Sequence, residues 1–432
     1  MKLMIVVGAR PNFMKAAPIL KAIHTHNHDA ICPGAKDEAE KSIVPILVHT
    51  GQHYDESMSG SFFGDLDLPK PDVHLGVGSG SHASQTAEVM KRFEEVLLRL
   101  QPDYLIVVGD VNSTLACALV AAKISFDASG RRPLIAHVEA GLRSRDRSMP
   151  EEINRILTDH LSDLLFVTEA SGMENLANEG IPADRVHFVG NTMIDTLLSH
   201  NEKANESKIL EKLSLRPTNN GPDCEIQVAK YALLTLHRPS NVDSKDSLIE
   251  ILKGLRDLTA IWPVIFPVHP RTQKRIVDFG LEGFFEVWNE NHSAKGGDKL
   301  FEKGKIHLIN PQGYVDFLCL MMHAALVVTD SGGIQEETTG LGVPCVTVRE
   351  NTERPVTVLR GTNILAGTSN EGIRTAVHRQ LTNPKNYTLP ERWDGNAARR
   401  IVEILSQQEL LKNTTSASTA GHEIPPLSSR SV

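Results

Sequence analysis

Three acidic side chains stand where an α/β chain keeps its chemistry. Asp110 follows the apolar run YLIVV in YLIVVGDVNST, Glu139 follows LIAHV in HVEAGLR, and Glu151 opens the stretch PEEINRILTDH. Ligands of open α/β sheets bind outside the carboxyl ends of the strands, so these carboxylates are expected to converge on one rim. Carboxylates on two sides of a substrate carbon can take a proton from one face and return one to the other. Glu151 also has a purely local reading. Ser148-x-x-Glu151 matches a capping box, and Arg155 stands four residues on, at salt-bridge spacing. Ile153, Ile156, Leu157, Leu161 and Leu164 form the stripe expected to be buried, which puts Glu151, Arg155 and Asp159 on the opposite face. Arg143 and Arg155 are the expected orienting partners of Glu139 and Glu151.

A second set suits a phosphate. Asp330-Ser331-Gly332-Gly333 lies between the strand-like LVVT and a helix expected to end near Gly340, where free backbone N–H groups without β-carbons fit an approaching diphosphate. The plain alternative is a βα turn with Ser331 as its N-cap. Glu337, two turns into that helix, reads either as a solvated residue or as an acceptor for ribose hydroxyls. Arg10 and Lys15 follow the first strand in VVGARPNFMKAAP. Two cations at a helix start are unfavourable unless an anion sits between them, the alternative being two surface cations. The loop lacks G-x-G-x-x-G, no acidic residue ends PILVHTGQH, and GVGSG at 76–80 does not complete the fingerprint, which counts against a nicotinamide cofactor.

The elements that must position these groups alternate regularly. LMIVV, PILVH, YLIVV, LIAHV, LLFVT and VHFVG precede residue 200; ALLTL, PVIFPV, KIHLI, LVVT and PCVTV follow it, beyond a polar break RPTNNGPDCE at 216–225. Such runs separated by helical-period stretches indicate βαβ units and parallel sheets. A chain of 432 residues exceeds one ordinary core. The fold class is therefore α/β, with two doubly wound Rossmann-like domains facing a cleft, placed at 1–198 and 199–380. Residues 27–42 and 287–304 read as surface insertions, and 411–432 as a disordered tail.

Composition narrows the function. A net charge of −8 argues against a nucleic-acid surface, and 5% aromatics leave few stacking platforms. No window approaches a membrane span, and the five scattered cysteines read as buried thiols of a cytoplasmic protein. His24, His26, His28 and Cys32 read as a mobile His-rich loop rather than a metal site.

The motifs GARPNFMKAAP, TGQHYDE, GDVNSTLA, HVEAGLRS, PEEINRILTDHLSDLLFVTE, GNTMIDTL, TLHRPSN, PVHPRT, NPQGYVDFLCLM, DSGGIQEE and TERPVTV, in order from about residue 3 to 370, resemble those of the non-hydrolysing UDP-N-acetylglucosamine 2-epimerases. The resemblance implies a glycosyltransferase-B type fold whose C-terminal helix, at 381–410, returns to the first domain. It implies a homodimer that interconverts UDP-GlcNAc and UDP-ManNAc without metal or cofactor, feeding cell-surface polysaccharide synthesis. It further implies that Asp110, Glu139 and Glu151 are the acid/base carboxylates and that His237 assists at the diphosphate. Arg10, Lys15, Gln312, Phe317, Ser331, Gly332, Gly333, Glu337 and Arg354 would bind the UDP-sugar. Two places depart from the commonest pattern: Asn12 where many members carry Glu, and Pro239-Ser240 where many carry Arg-Glu. A hydrolysing variant, a glycosyltransferase of the same architecture and a catalytically silent UDP-sugar binder are the competing readings.

Overall fold

The computed structural model describes residues 1–30, 42–52, 64–215, 230–288, 301 and 303–420. The first half holds β1 (Lys2–Val7), β2 (Val44–His49), β3 (Val73–His74), β4 (Tyr104–Val108), β5 (Leu134–Ala140), β6 (Leu164–Val167) and β7 (Val186–Phe188). They form one parallel sheet in the order β3-β2-β1-β4-β5-β6-β7. The second half holds β8 (Ala232–Thr235), β9 (Val264–Pro267), β10 (Phe285–Val287), β11 (Ile306–Ile309), β12 (Leu326–Thr329), β13 (Cys345–Thr347) and β14 (Asn363–Leu365). These form a second parallel sheet, β10-β11-β9-β8-β12-β13-β14. This is the expected two-sheet, doubly wound architecture. β3, β10 and β14 are additions to the eleven expected strands; each has two or three residues at a sheet edge, too few for a periodic signal.

The helices that carry or support the site are α1 (Arg10–Ala30), α2 (His82–Leu100), α3 (Asn112–Lys123), α4 (Pro150–Leu161), α5 (Thr192–Asn205), α6 (Tyr314–Met322), α7 (Gly332–Leu341) and α8 (Ala397–Ala420). Strand alternation sends Leu3, Ile5 and Val7 to one face of the first sheet, in a core with Ile19, Ile23, Ile194 and Ile401 from α1, α5 and α8. Met4 and Val6 point the other way, onto Val89 and Phe93 of α2 and Ala116 and Cys117 of α3. The first of these cores continues into the second half through Leu233, Ile265, Leu318 and Val327. α5 runs across the expected boundary at 198–199 and packs on α1, α6 and α7, so one helix joins the halves.

α8 lies back on α1, fastened where Asp195 of α5 accepts the N–H groups of Ala397 and Ala398 at 3.2 and 2.7 Å. It extends to Ala420, into the segment from 411 that was expected to be disordered. α1 likewise runs through Ala30, so His24, His26 and His28 stand on a helix and not on a loop. Among the described residues no cluster of His, Cys, Asp and Glu could hold a metal, and no helix is long and apolar enough to cross a membrane. Cys32, Cys224, the 216–225 break and most of the two insertions lie outside the described residues; Cys117, Cys319 and Cys345 are buried, as expected.

Each sheet reverses its winding next to a loop pair that carries the site. In the first sheet β1 and β4 are neighbours with connections leaving in opposite directions, and in the second β8 and β12 are. That is where open α/β sheets leave a crevice.

Candidate active site

Glu139 sits at a distortion of β5. The pairing with β6 slips between Val138 and Ala140, and Glu139 has φ +75°, a left-handed conformation that a non-glycine residue adopts at a strain of about 1–3 kcal/mol. Its flanks show what holds it there. His137 Nδ1 lies 2.6 Å from Asp159 Oδ1 and Nε2 lies 2.8 Å from the Gly109 carbonyl oxygen. Asp159 Oδ2 accepts the Gly141 N–H at 3.1 Å and pairs with Arg143 Nη1 at 2.8 Å. One carboxylate thus clamps the residues on both sides of Glu139. Burial pushes the Asp159 carboxyl up, but His137 and Arg143 outweigh it and hold it below its ordinary value. Arg143 pairs with Asp159 and Glu179, not with Glu139 as expected.

The bulge aims Glu139 between two cations. Oε2 pairs with Lys15 Nζ, and Oε1 accepts from Arg354 Nη2 at 2.8 Å, all three side chains being almost fully buried. Lys15 is therefore no surface cation; the anion beside it is a protein carboxylate. The Arg10 side chain lies outside the described residues. Asn12 closes the loop after β1, its Oδ1 accepting the N–H groups of Gly8 and Ala9 at 3.1 Å each and its Nδ2 donating to Val108 O at 2.9 Å.

Arg354 engages three carboxylates: Glu139, Glu336 at 3.0 Å through Nε, and Glu353 through Nη1. Glu336 also accepts from Asn191 Nδ2 at 2.9 Å, so two polar contacts tie the halves together here. Glu353 is held far below its ordinary range because Arg354 and Arg349 outweigh its burial. Burial raises Glu336, opposed by Arg354 and reinforced by Glu139. Burial also pushes Glu169 up to about 7, with Glu336 adding to the shift and Ser171 and Arg354 opposing it. The folded value thus lies above the unfolded 4.5, so the native state binds the extra proton and its stability falls as pH rises from about 4.5 to about 7. Glu169→Gln is expected to remove that slope and to exceed the parent in stability by roughly 1–3 kcal/mol at about pH 8, read from denaturant midpoints at about pH 5 and pH 8.

α4 reverses the expected orientation. Its N-cap is Met149 with Pro150 first in the helix, while Ser148 Oγ donates to Asp146; the capping box does not form. The polar face, with Glu152, Arg155 and Asp159, is buried, whereas Leu157 is 46% exposed. Arg155 explains this. It pairs with Asp110, and with Glu152 at 2.7 Å rather than with Glu151. Glu152 in turn accepts the backbone N–H groups of Ser144 and Arg145 at 3.0 and 2.8 Å. Its burial raises the carboxyl, but these donors and Arg155 bring it below normal. Glu151 is left half-buried, near enough to act electrostatically on Arg238 of the second half.

The phosphate-type turn lies opposite. Ser331 is the N-cap of α7, but its side chain makes no capping bond, and α7 ends at Leu341 with Gly342 left-handed. A β-carbon on Gly332 would lie 2.3 Å from Arg354 Nη1, whereas one on Gly333 would find only Met193 at 3.5 Å and Ser331 at 4.0 Å. Asp330, fully buried, accepts the N–H groups of His237 and Arg238 and pairs with His237 Nδ1 at 2.8 Å. The imidazole itself is 58% exposed, its orientation set from the neighbouring strand end. Glu337 is buried and accepts from Tyr314 at 3.2 Å; it is not a solvated helix residue. Phe317 is half-buried against the shared core, and Gln312 donates to Asn310 O at 2.7 Å.

The structure thus gathers Lys15, Glu139 and Arg354, joins Asp110 to Arg155, and sets His237 beside the Ser331 turn. Sequence reasoning passed over Glu152, Glu336, Glu353 and the roles of Asp159, Glu169 and Asp330. Asp330 and Glu169 carried a local signal, a place at a strand end, and Asp159 its place on the polar face of α4.

The chain matches the family model described as UDP-N-acetylglucosamine 2-epimerase over residues 36–406. A UDP-N-acetylglucosamine 2-epimerase of Methanocaldococcus jannaschii is 41% identical over 408 residues, 94% of this chain and 99% of the relative. A UDP-2,3-diacetamido-2,3-dideoxy-D-glucuronate 2-epimerase of Pseudomonas aeruginosa is 35% identical, covering 94% of this chain and all of its own. The crystal structure of the M. jannaschii enzyme with UDP-GlcNAc and UDP superposes with a TM-score of 0.76 at 39% identity, over 94% of this chain and 100% of that one. By sequence, by coverage and by fold, the chain belongs to the UDP-N-acetylglucosamine 2-epimerase family.

Proposed function

We propose that this protein interconverts UDP-GlcNAc and UDP-ManNAc without releasing free sugar. The observation that carries the reading is Glu139, a buried carboxylate aimed between two cations at the seam of two doubly wound sheets. The C2 proton of the sugar is not acidic, so its removal must accompany departure of UDP. A carboxylate takes the proton, the C1–O bond breaks with its electron pair passing to the diphosphate oxygen, and a C1–C2 double bond forms. UDP then adds back at C1 while a proton arrives on the opposite face of C2, which calls for acid/base groups on both faces. Asp110, Glu139 and Glu151 take those roles. Lys15, Arg10, Arg354, His237 and the N–H groups after Ser331 hold the leaving diphosphate, whose developing charge they stabilise. Gln312, Phe317 and Glu337 complete the UDP-sugar site.

The test is incubation with UDP-GlcNAc in D₂O. Deuterium at C2 of both epimers is expected; recovery of unlabelled substrate alone would overturn the reading. Free ManNAc plus UDP would mark a hydrolysing enzyme. The diacetamido glucuronate nucleotide, run in parallel, tests the sugar acted on by the P. aeruginosa relative.

The same reading includes a homodimer working in the reducing cytoplasm, which suits the buried cysteines, and supplying polysaccharide synthesis. The outward apolar face of α4 supports the dimer: Leu157 is exposed one helical turn beyond Ile153, which with Ala83, Ala87, Met90 and Pro150 lines an open groove between α2 and α4. Leu157→Asp is expected to convert the dimer to a monomer by light scattering while leaving the circular dichroism spectrum unchanged.

A further inference from the structure

Lys15 and Arg354 have two claimants. Both pair with Glu139, one on each carboxylate oxygen, while Arg354 also pairs with Glu336 and Glu353. The cluster has no slack: a β-carbon on Gly109 would stand 3.2 Å from Glu139 Oε2, 3.3 Å from Lys15 Nζ and 3.4 Å from Asn12 Nδ2. Arg354 is also the side chain that touches the start of α7, where Gly332 leaves it just enough room. An anion received at that helix start would lie beside Arg354.

We propose that the substrate diphosphate and Glu139 compete for Lys15 and Arg354, so that binding the substrate is what turns Glu139 from an ion-paired carboxylate into a base. This rests on the epimerase reading and adds to it a reason for the enzyme to hold its base silent until a leaving group is in place. Two opposed influences act on Glu139. Burial pushes its carboxyl up; Lys15 and Arg354, with His137 behind them, more than cancel that and leave it below its ordinary value. Glu336, on the far side of Arg354, is raised in part by Glu139; Glu353 and Asp110 also draw on Arg354. A diphosphate that takes over the two cations leaves burial opposed only by His137, and the affinity of Glu139 for a proton rises. The proton taken from C2 then passes to Glu139 as the electron pair leaves with UDP.

The consequence is measurable on the acid side as proton uptake linked to binding, since there the raised carboxyl is partly protonated from solvent and only the unprotonated fraction acts as base. UDP-GlcNAc is esterified at both ends of its diphosphate and gains no proton itself near neutrality. Calorimetric titration of the whole protein with UDP-GlcNAc, in buffers of differing ionisation enthalpy at about pH 6, is expected to show uptake of a substantial fraction of one proton per site. Glu139→Gln should abolish it. Zero net uptake, or uptake unchanged in Glu139→Gln, overturns the proposal. Infrared difference spectra of the unmutated protein give a second arm if Glu139→Gln does not fold: a protonated carboxyl band must appear on adding UDP-GlcNAc, and its absence also overturns the proposal. Exchange of C2 deuterium without linked uptake would sink this inference and leave the epimerase standing; linked uptake without exchange would do the reverse.

Discussion

Glu139→Gln is expected to lower kcat by roughly 10²–10⁴-fold and to stop C2 deuterium incorporation, since the side chain keeps its size and loses only its capacity to accept a proton. The position tolerates the change sterically, because the left-handed backbone at φ +75° is imposed by the Asp159 clamp rather than by the Glu139 carboxylate. Stability should also fall. Lys15 keeps a buried charge with its carboxylate partner gone, whereas Arg354 retains Glu336 and Glu353. Breaking one partner of a buried pair typically costs about 3–5 kcal/mol, with the upper end applying when nothing else compensates. Denaturant melts beside the exchange assay separate the two effects. A variant that is destabilised yet still exchanges C2 within about tenfold of the parent rate, well short of what a positioned base contributes, would remove Glu139 from the acid/base set.

Gly332→Ala and Gly333→Ala, adjacent on α7, are expected to behave oppositely. The new methyl at 332 would fall 2.3 Å from Arg354 Nη1 and 2.7 Å from Glu353 Oε1, contacts that atoms cannot make. Either α7 or the guanidinium must shift, and Arg354 is the link to both Glu139 and Glu336 across the halves. Overpacking of this kind costs about 1–3 kcal/mol. Passed on to the diphosphate site, that corresponds to roughly a 10–100-fold rise in the Kd for UDP. At 333 the methyl meets Met193 at an ordinary 3.5 Å, and its effect on UDP affinity should stay within about threefold, under 1 kcal/mol. Titration of both variants with UDP checks the pair. If 332 is neutral and 333 is damaged, the turn's glycines serve the nucleotide directly and the packing argument fails.

The contrast bears on how a sequence is read. SGG after a strand invites one explanation for both glycines, backbone exposed to a phosphate. The structure separates them, because the neighbour that forbids a β-carbon at 332 comes from residue 354. Asn12 shows the converse: a departure from the family's commonest residue has a local occupation, holding the β1 loop against β4 through three hydrogen bonds.

The sequence by itself determined the parallel α/β alternation, the placing of Asp110 and Glu139 at successive strand ends and the Ser331 turn at a helix start, because these follow from short-range periodicity and from the rule that strands deliver their ligands at one edge. Only the tertiary structure decided which charges are buried. Apolar spacing on α4 predicts an inward Leu157 and an outward Arg155; the protein does the reverse, since Asp110 and Glu152 give Arg155 buried partners and His137 and Arg143 do the same for Asp159. A charge enters the interior when opposite charge and hydrogen bonds are waiting there. Apart from Glu152, one turn away on the same helix, those partners come from other strands and loops, 45 residues away for Asp110 and 22 for His137, and for the Glu139–Arg354 pair 215 residues away in the other half of the chain.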